Sequence, residues 1–298
     1  MSTAGPVVLP PDLRSRLRGL RLLPRHAAVA RGIGQHASRN RGAGLEFVQY
    51  RSYEPGDELR QVDWKLYARS DRFFVREAER ESPSTVWILL DATASMQHRD
   101  QARPAVQRLD AARTLAACIV ELALQQNDAF GLAIAGGKGL QLVPPGGGPR
   151  QRDRVLLALQ RAQAHGRWPD ATRLRPLWER VGQHDLLLMI GDGFDEEAIA
   201  LLLQMARAGR DVLHLQLLGA DERDFPFRTG HRFIDPETGE TLLADADAVR
   251  AEYLQRFGAA CAALDARLQA AGIRHARGGM DQSPDLVLRQ LLRQGAGR

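Results

Sequence analysis

Asp91, Thr93 and Ser95 stand at alternate positions of "DATASM", which follows directly on the apolar run Thr85–Leu90. One short loop thereby carries a carboxylate and two hydroxyls. Donors of this kind suit a hard divalent cation, which takes oxygen ligands in octahedral geometry and keeps some of its waters. A second apolar run, "DLLLMIGD", ends in Asp192. If both runs are parallel strands, their carboxyl ends lie where α/β sheets bind ligands, and the two aspartates share one site. Asp and Thr after strands are also common helix caps and turn formers, so a metal-free loop remains an alternative. Catalytic partners are scarce nearby. His98 reads as a surface or capping residue, and Asp195 either caps the next helix or holds a water near Asp192. Lys138 in "GGKGL" sits in a hairpin, and its loop is too short to cradle phosphate.

The elements that must position these groups are legible as alternating runs. Thr85–Asp91, Asp185–Asp192 and Asp211–Gly219 are short and strongly apolar, as expected of strands buried on both faces. Ala129–Gly136 and Leu140–Gly147 read as strands joined by a Gly-rich turn. Helices are predicted over Arg108–Gln126, Arg150–Ala164, Ala171–Val181, Glu196–Ala208, Asp247–Ala271 and Pro284–Arg293. The first of these is apolar around most of its circumference and is expected to be buried. His231–Asp245 reads as a hairpin, and "GIRHARG" as a short strand. Strand–helix alternation over some 210 residues predicts an α/β fold with a mainly parallel sheet flanked by helices.

Residues 1–80 are read as a separate part, a basic arm followed by a small extended or β module, and 81–298 as the main domain. The arm holds a short helix near Leu13–Leu22 and then an extended, mobile stretch to Gly44. Strand candidates lie around Phe47–Tyr53 and Phe73–Val75, with a turn at Pro55-Gly56-Asp57. The net charge of +5 is concentrated here: residues 1–80 carry 15 basic against 9 acidic side chains. Among the 41 basic residues only Lys65 and Lys138 are lysines. Arginine is enriched throughout, so the bias reads as composition and not as phosphate recognition. No recognition-helix pattern or aromatic stacking series accompanies it, and no nucleic-acid partner is expected. No apolar run approaches the roughly 18–20 residues that span a bilayer. No secretory signal is visible at the N-terminus. Cys118 and Cys261 read as core residues in helices, which fits a reducing cytoplasm.

The loop "DATASM" resembles the metal-ion-dependent adhesion site of von Willebrand factor A domains, whose first motif is Asp-x-Ser-x-Ser. Here Thr93 replaces the first serine. The resemblance implies two further ligands in chain order, Thr172 of "DATRLRPLWERV" and Asp192 of "IGDG". It also implies Mg2+ or Mn2+ as the cofactor, completed by a carboxylate from a partner protein. Upstream, "GAGLEFVQYRSYEPGDELRQVDWKLYAR" resembles the signature of the bacterial domain of unknown function 58. The matching positions include Glu46, Phe47, Arg51, Tyr53, Pro55, Gly56, Asp57, Arg60, Asp63, Trp64 and Arg69. The expected role of that signature is a charged and aromatic clamp onto the main domain. Together the resemblances imply a von Willebrand factor A-like, Rossmann-like domain acting as a non-enzymatic, cytoplasmic adaptor. Its implied partner is a MoxR-type AAA ATPase or a client protein, in chaperone-like maturation. The alternatives are a metal-free scaffold of the same fold and a metal-dependent phosphoester hydrolase.

Overall fold

A computed structural model describes residues 9–22, 47–53, 62–78, 85–101 and 104–293. The chain divides into two compact units, residues 32–83 and the remainder.

In the smaller unit β1 (Phe47–Ser52) pairs antiparallel with β2 (Phe74–Ala78). Between them α2 (Trp64–Ser70) begins at Asp63, whose carboxylate accepts from the N–H groups of Lys65 and Leu66 at 2.9 and 3.1 Å. That satisfies two donors which the first turn of any helix leaves open. Tyr67 and Phe73 stack with centroids 4.3 Å apart, and Trp64 meets both edge-on. Of the expected clamp, Asp63 is therefore engaged as a helix cap within this unit. Glu46, Asp57 and Arg60 lie outside the described residues.

The larger unit is built on a six-stranded sheet. Its strands in chain order are β3 (Thr85–Ala92), β4 (Ala129–Gly136), β5 (Gly139–Gly146), β6 (Leu186–Gly191), β7 (Asp211–Leu218) and β10 (Arg274–Gly279). Across the sheet the order is β10-β7-β6-β3-β4-β5. All neighbours are parallel except β5, which joins antiparallel at one edge. Pro144 and Pro145 fall in β5, beside a register shift opposite Phe130–Leu132. The α/β class and the mainly parallel sheet expected from the sequence are present.

Side-chain alternation explains the layers. Val86, Ile88 and Leu90 of β3 enter one apolar cluster; Trp87 and Leu89 enter the other. The first is closed by α3 (Arg108–Gln126), α4 (Gly148–Arg161) and α9 (Pro284–Arg293). The second is closed by α5 (Ala171–Arg180), α6 (Glu196–Arg207) and part of the long α8 (Ala246–Ala270). A short helix, α7 (Ala220–Asp224), precedes the hairpin β8 (Gly230–Ile234) and β9 (Thr241–Asp245). Cys118 and Cys261 are buried within helices. No helix among the described residues is long and apolar enough to cross a membrane.

One expectation needs correcting. The N-terminal helix α1 (Pro11–Leu17) is not part of a free arm. Leu9, Leu13, Leu17 and Leu22 are buried in the first cluster, and the Leu22 N–H donates to Gln126 Oε1 at 2.8 Å. Apolar burial outweighs the arginines around it because Arg14, Arg16 and Arg18 project from the exposed face. Leu17→Ala is expected to cost about 2–5 kcal/mol of stability in urea denaturation, the usual penalty for a buried Leu. A loss within roughly 0.5 kcal/mol, typical of surface changes, would contradict the docking of α1. The stretch from 23 to 44 lies outside the described residues.

Candidate metal centre

Counted along the chain, the six sheet strands run in the order 3-2-1-4-5-6, which reverses between β3 and β6. In open α/β sheets that reversal opens a crevice at the strands' carboxyl ends. Asp91 is the penultimate residue of β3 and Asp192 follows β6 at this point. Both are 1% exposed. Gly191 lets them approach: a Cβ there would sit 2.9 Å from Asp91 Cβ and Oδ2.

The loop after β3 folds onto its own carboxylate. Asp91 Oδ1 accepts from the Thr93 N–H at 2.9 Å and from the Thr93 hydroxyl at 2.8 Å. Thr93 Oγ1 lies 3.0 Å from Ser95 Oγ. The loop is fixed from outside by Ala94 N–H donating to Gly166 O at 2.8 Å. Asp192 Oδ1 accepts from the Phe194 N–H at 3.1 Å, and its main-chain carbonyl accepts from Gln216 Nε2 at 2.8 Å.

Three participants were not anticipated. Arg108, the first residue of α3, is 1% exposed. Its guanidinium donates to Asp192 Oδ2 at 3.0 Å and to Ser95 O at 3.3 Å, and pairs with Glu222 of α7. Glu237, in the turn between β8 and β9, is half-buried; its charge acts on Asp91, and its main-chain carbonyl accepts from Arg167 Nε at 3.3 Å. Glu222 was hidden inside a short helix, and Arg108 in the general abundance of arginine. The one available signal was that Arg108 opens a helix otherwise apolar on nearly every side.

Electrostatically the centre is overloaded with negative charge. Burial and then the neighbouring Asp192 push Asp91 up to about 8. Burial, followed by Asp195 and Asp192, raises Glu237, although Thr93 partly opposes this. The Arg108 guanidinium pairs with Asp192 and Glu222, while the buried Asp91 has no salt bridge among the described residues. The Thr93 hydroxyl donates to Asp91 Oδ1 and can accept from the Ser95 hydroxyl, so the two hydroxyls and the carboxylate form one short chain of oxygens. Two buried carboxyl groups with two neighbouring hydroxyls are oxygen donors of the kind that a hard divalent cation takes.

Of the five residues expected to bind metal, the structure therefore brings together Asp91, Thr93, Ser95 and Asp192. Thr172 is the second residue of α5 and exposed, and no hydrogen bond among the described residues joins it to the other four. Asp170 caps that helix through the Arg173 N–H. Asp195 caps α6 through the Ala198 N–H at 2.9 Å. His98 lies outside this centre, with Nε2 3.2 Å from Asp100 Oδ1. Burial alone would raise Asp100, but the N–H groups of Ala220 and Asp221, with His98, hold it below the usual carboxylate range. Lys138 occupies the turn between β4 and β5.

Comparison with known proteins places residues 49–262 on a family model described as "Protein of unknown function DUF58". An uncharacterized protein of Mycobacterium tuberculosis, Rv1480, is 26% identical over 240 residues, covering 80% of this chain and 72% of that one. Among solved structures, the conserved hypothetical protein BatB from Bacteroides thetaiotaomicron is similar at a TM-score of 0.43. It is 16% identical, over 72% of this chain and 98% of that one. The SpRpn10 VWA domain is similar at 0.41, also 16% identical, over 71% of this chain and 95% of that one.

Proposed function

The chain belongs to the DUF58 family, and from that premise we propose that it is a non-enzymatic adaptor that binds a protein partner through a divalent-metal site at Asp91, Thr93, Ser95 and Asp192. The observation that carries the proposal is the buried cluster of Asp91, Thr93 and Ser95 oxygens beside Asp192 at the sheet's reversal point. Asp91 would hold Mg2+ or Mn2+ with the two hydroxyls. Asp192, already hydrogen-bonded to Arg108 and Phe194, would add charge and keep one lone pair per oxygen for a ligand or a water. Thr172 stays in the proposed set as a residue that a shift of the loop before α5 would have to deliver. When bound, the ion offers an open position to a carboxylate from the partner.

Arg108 fixes the geometry on the protein side by tying Asp192, the Ser95 carbonyl and Glu222 into one network. The partner we propose is a MoxR-type AAA ATPase, or a client delivered with it, in the cytoplasm. A metal-free interaction domain is the second reading, favoured by Arg108, which already supplies Asp192 with a cation.

Titration calorimetry with Mn2+ or Mg2+ separates the two. Wild type is expected to bind one ion and Asp91→Ala to bind none; no binding by wild type would leave the metal-free reading. Pull-down of the ATPase is expected to fail in EDTA.

A further inference from the structure

Gln216 of β7 and Arg277 of β10 are register partners on neighbouring parallel strands. Their side chains belong to a series of hydrogen bonds that ends on the Asp192 loop. Asp265 of α8 accepts from Arg277 Nη2 at 2.8 Å, and Arg277 Nε donates to Gln216 Oε1 at 2.8 Å. Gln216 Nε2 then donates to the Asp192 carbonyl, again at 2.8 Å. Arg277 Nη2 also reaches the Cys261 carbonyl at 3.3 Å. Gln216 is buried, while Arg277 and Asp265 are half-buried.

The far end of this series fixes its direction. An amide can turn either its oxygen or its nitrogen towards Asp192, but a guanidinium has donors only. Arg277 therefore takes the amide oxygen and leaves the NH2 group for the Asp192 carbonyl. The loop is also pressed onto the same surface. Gly193 has φ +73°, and a Cβ there would sit 3.1 Å from Gln216 Nε2 and 3.0 Å from Cε1 of the buried His214. Neither ring nitrogen of His214 has a hydrogen-bond partner among the described residues, and the ring stacks on His275 with centroids 4.9 Å apart. His214 is thus a wall beneath the loop, and Gln216 is its tether. Arg108 and the Phe194 N–H hold the Asp192 carboxylate, whereas Gln216 holds its main chain.

We infer that Gln216 and Arg277 are positioning residues of the metal centre: with Asp265 behind them, they fix the Asp192 main chain so that its carboxylate, and not its carbonyl, is offered to the ion. This rests on the metal-site reading above. Both residues act through Asp192. Groups that orient a ligand from behind commonly contribute roughly 10–100-fold to metal affinity.

The test uses the full chain and Mn2+ alone. Gln216→Glu keeps the shape and the pairing with Arg277 but has no donor for the Asp192 carbonyl. It is expected to weaken Mn2+ binding in calorimetry by about tenfold or more, although its added negative charge by itself would tighten it. Arg277→Met, at a half-buried position, is expected to weaken binding as well, because the amide is then free to turn over. Arg277→Lys, again a donor only, should recover part of that loss. Without metal, hydrogen exchange of the Phe194 amide is expected to quicken in Gln216→Glu and Arg277→Met, while that of Leu188 inside β6 stays as in wild type. Equal quickening at both amides would mark a merely structural role and overturn the inference. Equal or tighter Mn2+ binding by both variants would overturn it too and leave the metal site standing. If wild type binds no Mn2+, the metal reading falls, and unchanged Phe194 exchange would then remove the tether with it.

Discussion

Replacing Arg108 with methionine is expected to lower folding stability by about 3–5 kcal/mol, the cost of leaving a buried charge without its partner. The side chain is 1% exposed and sits between Asp192, Glu222 and the Ser95 carbonyl. Methionine fills much of the volume but provides no donor, so the 1%-exposed Asp192 loses its only salt bridge among the described residues. Lysine is no substitute. Its ammonium is a point charge, whereas the planar guanidinium reaches three acceptors at once. Urea denaturation in EDTA measures the effect. Arg108→Met combined with Asp192→Asn is expected to recover part of the loss, with a coupling of roughly 0.5–3 kcal/mol. A loss below about 1 kcal/mol in the single variant would mean that water already reaches the pair and that the centre is not sealed.

The second large effect is a dependence on pH that a divalent ion abolishes. Burial and Asp192 push Asp91 to about 8 in the folded chain, against 3.8 as its ordinary value. Between those values the unfolded chain has lost this proton while the folded chain retains it. Stability therefore falls as pH rises from about 4 to about 8, by up to roughly 1.4 kcal/mol per unit, and levels off above. Glu237, also raised, adds to the fall with the same sign. Denaturation in EDTA at several pH values from 5 to 8 is expected to show a declining midpoint for wild type and a flatter one for Asp91→Asn. Added Mg2+ should restore stability most at pH 8, because its ligands must be deprotonated and binding at pH 6 has to expel a proton. Parallel pH profiles for wild type and Asp91→Asn would show that Asp91 is ionised throughout this range.

The parts of this molecule that a reader of the sequence can find are those where local pattern and tertiary role agree. β3, β6 and β7 stand out because both faces are buried, which leaves uninterrupted apolar runs. Asp91 and Asp192 stand out because each ends such a run. The helix over Arg108–Gln126 was legible to the residue, since a buried helix needs apolar side chains on all sides. What failed to show was long-range. Leu9, Leu13 and Leu17 have the spacing of a helical stripe, but the arginines between them read as a free basic arm. "DPETGE" reads correctly as a turn, yet nothing within it tells that the Glu237 carbonyl accepts from Arg167, 70 positions earlier. Arg108 was obscured by composition, because in a chain with 41 basic residues one more arginine carries no signal. Thr172 illustrates the converse. A resemblance in motif order selected it, and the local hydrogen bonding shows Asp170, two residues before it, at the work of starting the helix.

The prolines of β5 bear on whether a second strand can add to this edge of the sheet. An outermost strand normally offers a row of free N–H groups onto which a second chain can add, the route to edge-to-edge aggregation. Pro144 and Pro145 have no N–H to offer, and the register shift beside them interrupts the ladder further. Strand addition is thus discouraged along this margin of the sheet. The sheet therefore carries its protection against edge pairing at β5, the margin opposite β10.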